Sequence, residues 1–291
     1  MDISVLIVAY NSAGQIARCL ESLAQQTGIN FEVIVVDNAS KDDTLAQCRK
    51  FGHIRMIPSP ENLGFGRGNN LGFAASTGRY IYLLNPDARL VGTGALVELC
   101  RGMDAHSRWG LAASRVRSED GTHEEQPATG YPGQRHVPHQ FAKLPGGIAW
   151  ILGASMIVRR ELYEQLGGFD PAFFLYSEET DFCLRVRKAG YEIGQILEVT
   201  VEHIGGASED RGDPYDVSAR KLRGLIIFRQ KHYSPADCRR LAERDLRRAR
   251  IRARWNGFLA WWQPARSPAW QKSRNYSAIR DVSLEYLAAT K

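Results

Sequence analysis

No stretch of this 291-residue chain approaches the roughly eighteen consecutive apolar residues that a membrane-spanning helix requires. The opening Met1-Asp2-Ile3-Ser4 lacks the basic-then-apolar form of a secretory signal. Cysteine is sparse: five residues, Cys19, Cys48, Cys100, Cys183 and Cys238, scattered and without a Cys-x-x-Cys pair. That spacing argues against a disulfide framework or a zinc site and points to a reducing cytoplasm. There is no internal repeat, and 44% hydrophobic against 24% charged residues excludes disorder and collagen-like sequence. Acidic residues run short in one region. From Arg220 onward 18 Lys and Arg face 5 Asp and Glu, a net charge of +13, against −7 over the first 219 residues. Such asymmetry predicts a basic tail that meets an anionic partner, nucleic acid or acidic lipid.

What is present is a regular alternation. Ser4 to Ala9 is a short, β-branched apolar run, the pattern of a strand buried on both faces in a parallel sheet. Asn11-Ser12 offers a helix cap, followed by Ile16, Leu20 and Leu23 at helical spacing. Phe31 to Val36 is a second strand, ending at Asp37; Ile54 to Ile57 is a third; Gly66 to Ser76 reads as a helix and Tyr80 to Leu84 as a fourth strand. Strands alternating with helices predict an α/β fold with a mostly parallel central sheet. In such sheets ligands bind outside the carboxyl ends of the strands, so Tyr10, Asn11, Asp37 and Asp87 are candidates for one shared site. Further on, Ser118 to Gly147 reads as a long loop able to close over a ligand, Arg160 to Leu166 and Glu178 to Ala189 as helices, and Glu192 to Val201 as a strand.

Each candidate has a plain structural reading beside the chemical one. Asn85-Pro86-Asp87 is a good turn, and it also presents a hard oxygen ligand suited to Mg²⁺ or Mn²⁺ on a diphosphate. Asp37 serves as a helix cap or as an acceptor for a nucleotide's base or ribose. Gly64, Gly66 and Gly68 alternate, which marks a turn into a helix or a close backbone approach to ligand; the spacing is neither a dinucleotide fingerprint nor a phosphate loop. Glu178-Glu179-Thr180-Asp181 is the acidic first turn of a helix, or a carboxylate pair of which one member acts as general base. His203 ends a strand as a structural hydrogen bonder or a ligand. His136 and His139 have a spacing that a metal could use, with nothing else in support.

Taken in order, these segments resemble glycosyltransferase family 2, and within it the rhamnosyltransferase-like branch. The resemblance is carried by Val5 to Ser12, Val35 to Ser40, Asn62 to Asn70 and Leu84 to Ala88, then by Gly153 to Met156, Gly167 to Asp170, Phe174 to Asp181 and His203 to Ser208. It implies a GT-A fold and an inverting transfer from a nucleotide-sugar donor, dTDP-rhamnose by the Asn-Pro-Asp motif. The donor-binding residues it implies are Ala9, Tyr10, Asn11, Asp37 and Asn38, then Gly64, Gly66, Asn69, Asn85 and Asp87. A divalent cation, Mg²⁺ or Mn²⁺, is implied on Asp87 and His203, although Asn85 stands where the family's acidic motif begins with Asp. The catalytic set is Glu178, Glu179 and Asp181; Glu179 matches the base position, usually Asp, which leaves Glu178 or Glu179 as base. The implied acceptor is a glycan or lipid-linked intermediate in cell-surface polysaccharide assembly. Two other classes stand beside this one: a nucleotidyltransferase-like enzyme, and a basic nucleic-acid-binding protein.

These segments divide the chain into a glycosyltransferase domain, 1–232, with a nucleotide-sugar half at 1–100 and an acceptor half at 101–232, and a basic helical extension, 233–291. In the extension eight arginines crowd Arg239 to Arg254, and Ile251, Trp255, Phe258, Leu259 and Trp262 fall on one helical face. Arginine beside a Trp/Phe/Leu face predicts an interfacial helix on an anionic membrane surface, at the inner face of the cell membrane; no nucleic-acid motif accompanies the charge. The competing reading packs that face on the catalytic domain or on a second subunit.

Overall fold

The computed structural model describes residues 1–137, 140–205, 213–261 and 267–290. The first half opens with four strands, β1 (Ile3–Ala9), β2 (Phe31–Asp37), β3 (Ile54–Pro58) and β4 (Tyr80–Leu84), separated by helices α1 (Ile16–Ala24), α2 (Thr44–Cys48) and α3 (Gly64–Ala74). Then follow β5 (Ala88–Leu90), α4 (Ala95–Ala105), β6 (Trp109–Arg117), β7 (Ser155–Arg159), α5 (Arg160–Gln165), α6 (Glu178–Lys188) and β8 (Glu192–His203). The eight strands form one sheet in the order β3-β2-β1-β4-β7-β6-β8-β5. The β3-β2-β1-β4 block is parallel and β6 runs parallel to β8, while β4–β7, β7–β6 and β8–β5 are antiparallel.

The alternation along β1 explains why the sheet carries helices on both faces. Val5 and Ile7 look toward α1 and α4, packing with Leu20, Leu96 and Met103. Leu6 looks the other way, into a cluster with Ile34, Leu83, Met156, Tyr163 and Phe182. All are essentially solvent-free, and each such side chain contributes about 1.5–3 kcal/mol relative to exposure. The glycine segment forms the first turns of α3 rather than a loop before it. A Cβ on Gly68 would stand 2.8 Å from Val8 Cγ1, so glycine lets the helix lie directly on β1. Gly64 adopts φ +78°, and a Cβ there would collide with the Phe174 carbonyl. The sequence pattern places the helix start at Gly66; close packing moves it two residues earlier, to Gly64.

The segment expected as one long loop is pinned at several points. Ala128 bridges to Trp150, and the Arg187 guanidinium donates to the carbonyls of Leu144, Pro145 and Gly146 and to the Tyr131 hydroxyl. His139 lies outside the described residues.

The chain divides into two compact units. The first comprises residues 1–131, 143–174 and 178–205 and holds the whole sheet. The second comprises 132–142, 175–177 and 206–291. It contains α7 (Pro214–His232), α8 (Pro235–Trp261) and α9 (Pro268–Ala289). The first unit ends at 205, and α7 groups with α8 and α9 in the second. Within this unit Ala219 and Leu222 of α7 pack on Ala278 and Val282 of α9. Arg274 makes two bonds to Asp213, at 3.0 and 2.6 Å, and the Tyr215 hydroxyl donates to Asp281. Trp262 lies outside the described residues. Among those described, no helix is long and apolar enough to cross a membrane. All five cysteines are buried free thiols.

Candidate active site

The carboxyl edge of the sheet gathers most of the candidate residues. Ala9 and Asp37 are register partners at the ends of β1 and β2, and the Asn38 amide donates to the Ala9 carbonyl at 2.8 Å. The loops that follow are laced together. The Asn11 N–H donates to Ser40 Oγ at 3.0 Å, the Lys41 N–H to Asn11 Oδ1 at 2.8 Å and the Ser12 N–H to Thr44 Oγ1 at 2.7 Å. Asn11 and Ala39 both hold left-handed backbone, φ +50° and +63°. For alanine that is a strained conformation, which the surrounding hydrogen bonds maintain.

Asp37 is only 3% exposed, yet its Oδ1 is buried with no hydrogen-bond partner among the described residues. Buried carboxylate oxygens are nearly always paired, so this one invites an N–H or O–H from a ligand. Tyr10, at the neighbouring strand end, is 43% exposed and offers a free ring face. Asn38 behaves differently. Its Oδ1 accepts from the Leu63 N–H at 2.8 Å and its Nδ2 donates to Asn62 Oδ1 and the Gly64 carbonyl. Asn38 therefore clamps the entry to α3. Asn69 is buried and donates to the Phe65 carbonyl of its own helix.

Asn85, Asp87 and His203 converge. Antiparallel pairing of β5 with β8 sets Ala88 opposite His203, and Asp87 Oδ1 then lies 3.2 Å from His203 Nε2. Asn85 Nδ2 stands 3.3 Å from the same ring nitrogen. Both Asp87 and His203 side chains remain slightly accessible, at 12% and 13%. No group of three or more His, Cys, Asp or Glu poised for a metal occurs among the described residues. One carboxylate and one imidazole still suit Mg²⁺ or Mn²⁺, which take few protein ligands when phosphates and waters complete the shell.

The acidic helix start resolves into three different environments. Glu178 faces Gly66, its Cβ 3.7 Å from where a Cβ on that glycine would stand, and is 3% exposed. Its Oε2 has no partner among the described residues. Burial, then the charge of Glu179, pushes its carboxyl well above the ordinary range. Glu179 faces Gly153, with its Cβ 3.8 Å from that glycine's missing Cβ, and is partly accessible. Gly153 precedes Ala154, whose carbonyl accepts from the Asn85 N–H at 3.0 Å, so the start of α6 at Glu179 lies close to the turn that follows β4. Burial raises the Glu179 carboxyl to about 7. Asp181 is fully buried, and its Oδ2 accepts from Arg185 Nε at 2.7 Å. Arg185 also donates to the carbonyls of Leu166 and Gly168.

Several contributors escape a reading of the sequence. Asn70 donates to the Phe169 carbonyl and accepts from the Phe169 N–H and the Tyr163 hydroxyl, tying α3 to the Gly167-Gly168-Phe169 turn. Arg18 and Arg89 line a small cleft beside Asp87, where they pair with Glu119 and Glu202. Their only sequence signal is position: one on α1, one immediately after the Asp87 turn.

Known proteins share this architecture. Residues 4–178 match the model for glycosyl transferase family 2. An N-acetylglucosaminyl-diphospho-decaprenol L-rhamnosyltransferase of Mycobacterium tuberculosis is 26% identical over 272 residues, covering 78% of this chain and 84% of that protein. The rhamnosyltransferase WbbL of Escherichia coli is 24% identical over 214 residues, covering 66% and 79%. Among solved structures, residues 1–349 of Staphylococcus aureus TarS in complex with UDP superpose with a TM-score of 0.59 at 17% identity, covering 99% of this chain and 92% of that one. A mannosyltransferase from Pyrobaculum calidifontis, in complex with GDP-Man and Mn²⁺, gives 0.57 at 18% identity, covering 99% and 74%. The fold is of the GT-A type, a mixed sheet between helices with a helical C-terminal region. The chain belongs to glycosyl transferase family 2, and it is a glycosyltransferase.

Proposed function

We propose that the enzyme transfers rhamnose from dTDP-rhamnose, with inversion, to a hydroxyl of a lipid-linked glycan used in cell-surface polysaccharide assembly. The observation that carries this reading is the meeting, at one sheet edge, of an unpartnered Asp37, the Asn85–Asp87–His203 cluster and Glu179. Asp37 accepts from the nucleotide and Tyr10 stacks on its base. Asn11 shapes the same pocket, while Ala9, Asn38, Gly64, Gly66 and Asn69 form its backbone walls. Asp87 and His203 would hold Mg²⁺ or Mn²⁺, which would offset the charge growing on the diphosphate leaving group. Glu179 takes the proton from the acceptor hydroxyl as that oxygen bonds to the anomeric carbon and the bond to the diphosphate oxygen breaks. Glu178, buried and with its carboxyl raised well above the ordinary range, supports Glu179 without reaching substrate. Asp181 is left out of the catalytic set, since its carboxylate is committed to Arg185. The mycobacterial relative is named for rhamnosyl transfer to a diphospho-decaprenol acceptor, which supports both donor and acceptor class.

Screening nucleotide sugars for thermal stabilisation and for transfer tests the donor, because a ligand of the native state raises the melting temperature. Stabilisation by dTDP-rhamnose is expected. Transfer from UDP-hexoses alone overturns the donor assignment, and full activity in EDTA overturns the metal assignment.

The same reading places the protein on an anionic membrane surface through α8. Ile251, Trp255, Phe258 and Trp261 are 72%, 64%, 58% and 77% exposed on an arginine-rich helix. Leu259 is half-buried, so Trp261 joins the exposed face in its stead. Each basic residue near such a surface adds about 1 kcal/mol. Sedimentation with anionic vesicles is expected for the whole chain and is expected to fail for the Trp255→Ser/Phe258→Ser double variant. Equal sedimentation of both overturns the assignment.

A further inference from the structure

The helical unit carries an open pocket of about 400 Å³ that no part of the donor reading uses. That volume lies within the range of small-molecule sites. Four cations line it, Lys221 and Arg229 from α7 and Arg248 and Arg252 from α8, against a single carboxylate, Asp245. Arg229 is the most telling of them. Its side chain is 7% exposed and its Nη1 donates to Asp245 at 2.7 Å, yet its Nε is buried with no partner among the described residues. A buried guanidinium N–H left without an acceptor is costly, and an oxyanion entering the cavity supplies one. Arg252 is already oriented, donating to the Tyr276 hydroxyl at 2.7 Å and lying over that ring at 5.4 Å. Arg248 has no acidic partner among the described residues.

The remaining wall has different chemistry. Leu222, Leu225, Ala249 and Ile279 give it an aliphatic side. A bare phosphate has no use for such a wall, and the phosphates of a nucleic-acid backbone leave its aliphatic residues without a partner. A phosphate joined to a hydrocarbon chain satisfies both halves. The exposed Trp255 stands three residues beyond Arg252 on the same helix, so on the membrane reading proposed above, on which this step rests, a bilayer supplies such a molecule.

We propose that this cavity binds a phosphate-bearing amphiphile. Its phosphate sits on Arg229, Arg248 and Arg252, and the first carbons of its tail run along Leu222, Leu225 and Ile279. None of these residues belongs to the donor site, so the two assignments stand or fall separately.

Calorimetry on the full chain with farnesyl diphosphate as probe tests this, with inorganic pyrophosphate and farnesol as parallel arms. Farnesyl diphosphate is expected to bind, and Arg248→Gln/Arg252→Gln to weaken it about tenfold or more, as loss of charge-assisted hydrogen bonds does. Arg247→Gln/Arg250→Gln removes the same charge from α8 outside the cavity and is expected to leave affinity within about twofold. Equal losses in the two double variants mean diffuse charge attraction and overturn the proposal. So does equally tight binding of pyrophosphate, which means a site for free phosphate, or of farnesol, which means an apolar pocket, or no binding of farnesyl diphosphate. Should the double variant fail to fold, Arg248→Gln alone decides the matter, because that side chain holds no other element in place.

Discussion

Asp87 and His203 meet at 3.2 Å although more than a hundred residues separate them in the chain. The three-residue strand β5 folds back beside the end of β8, and that pairing brings the Asp87 turn under the His203 ring. Neither residue alone makes a cation site. On the reading proposed above, a diphosphate would complete one, and metal affinity would then depend on the presence of donor.

Substituting Asp87→Ala or His203→Ala is therefore expected to lower turnover by at least about 10²-fold, with excess Mn²⁺ recovering part of it. Manganese titration of initial rates, with and without donor, checks this. Metal dependence unchanged in both variants counts against the pair.

Replacing Glu179 by Gln keeps shape and removes the proton acceptor. Turnover is expected to fall by ~10²–10⁴-fold while donor affinity is retained. Glu178→Gln is expected to remain active, since burial and the charge of Glu179 already hold that carboxyl well above the ordinary range. The reverse outcome moves the base to Glu178.

With Glu179 as the proposed base, its carboxyl, raised to about 7, is expected to set the pH behaviour of both rate and stability. The base must be ionised, so kcat/KM is expected to rise about tenfold per pH unit below 7 and level off above it. Stability runs oppositely. The unfolded carboxyl titrates near the ordinary value of about 4.3, so between there and 7 the folded state binds more protons. The contribution of Glu179 to stability is complete below about pH 4 and is lost as pH rises through 7. Glu179→Gln is thus expected to raise the melting temperature at pH 8 and to leave it nearly unchanged at pH 4.5. Denaturant unfolding at the two pH values measures the difference, which is on the order of 1–3 kcal/mol.

Asp37→Asn retains size and turns an acceptor oxygen into a donor in half of its orientations. Nucleotide affinity is expected to drop about tenfold or more, as for hydrogen bonds to a charged group. Calorimetry with dTDP reads this directly.

Asp181→Ala strips the partner from Arg185 and is expected to cost about 3 kcal/mol in stability, with specific activity of the remaining folded enzyme preserved. Loss of turnover at unchanged melting temperature returns Asp181 to the chemistry.

The strands β1, β2 and β4 are legible because short continuous apolar runs, β-branched in β1 and β2 and mixed aromatic and aliphatic in β4, allow little else, and Asp37 at the end of β2 and Asp87 just beyond β4 follow from the rule for strand ends. Strand β6 and helix α4 lie between the stronger motifs and carry no comparable signal in the residues alone. The start of α3 is misplaced by propensity, because Gly64 and Gly68 are selected by what Phe174 and Val8 occupy. The clamps made by Asn38 and Asn70 are invisible for a related reason: an amide that serves backbone groups brought in by tertiary folding looks, in sequence, like any polar surface residue. Helix α9 presents no strong apolar stripe; its small buried residues, Ala278 and Val282, are recognised only against Ala219 and Leu222.

The five buried thiols make the folded chain chemically quiet. Burial pushes Cys48 up to about 11 and Cys183 up to about 12, so little thiolate exists at neutral pH. Cys19 donates its S–H to the Asn85 carbonyl, directly beneath the residues that gather at Asp87. Alkylation of Cys19 then proceeds only when that corner opens, and its rate becomes a clock for local breathing. A donor that clasps the sheet edge is expected to slow the clock, with no mutation made in the protein.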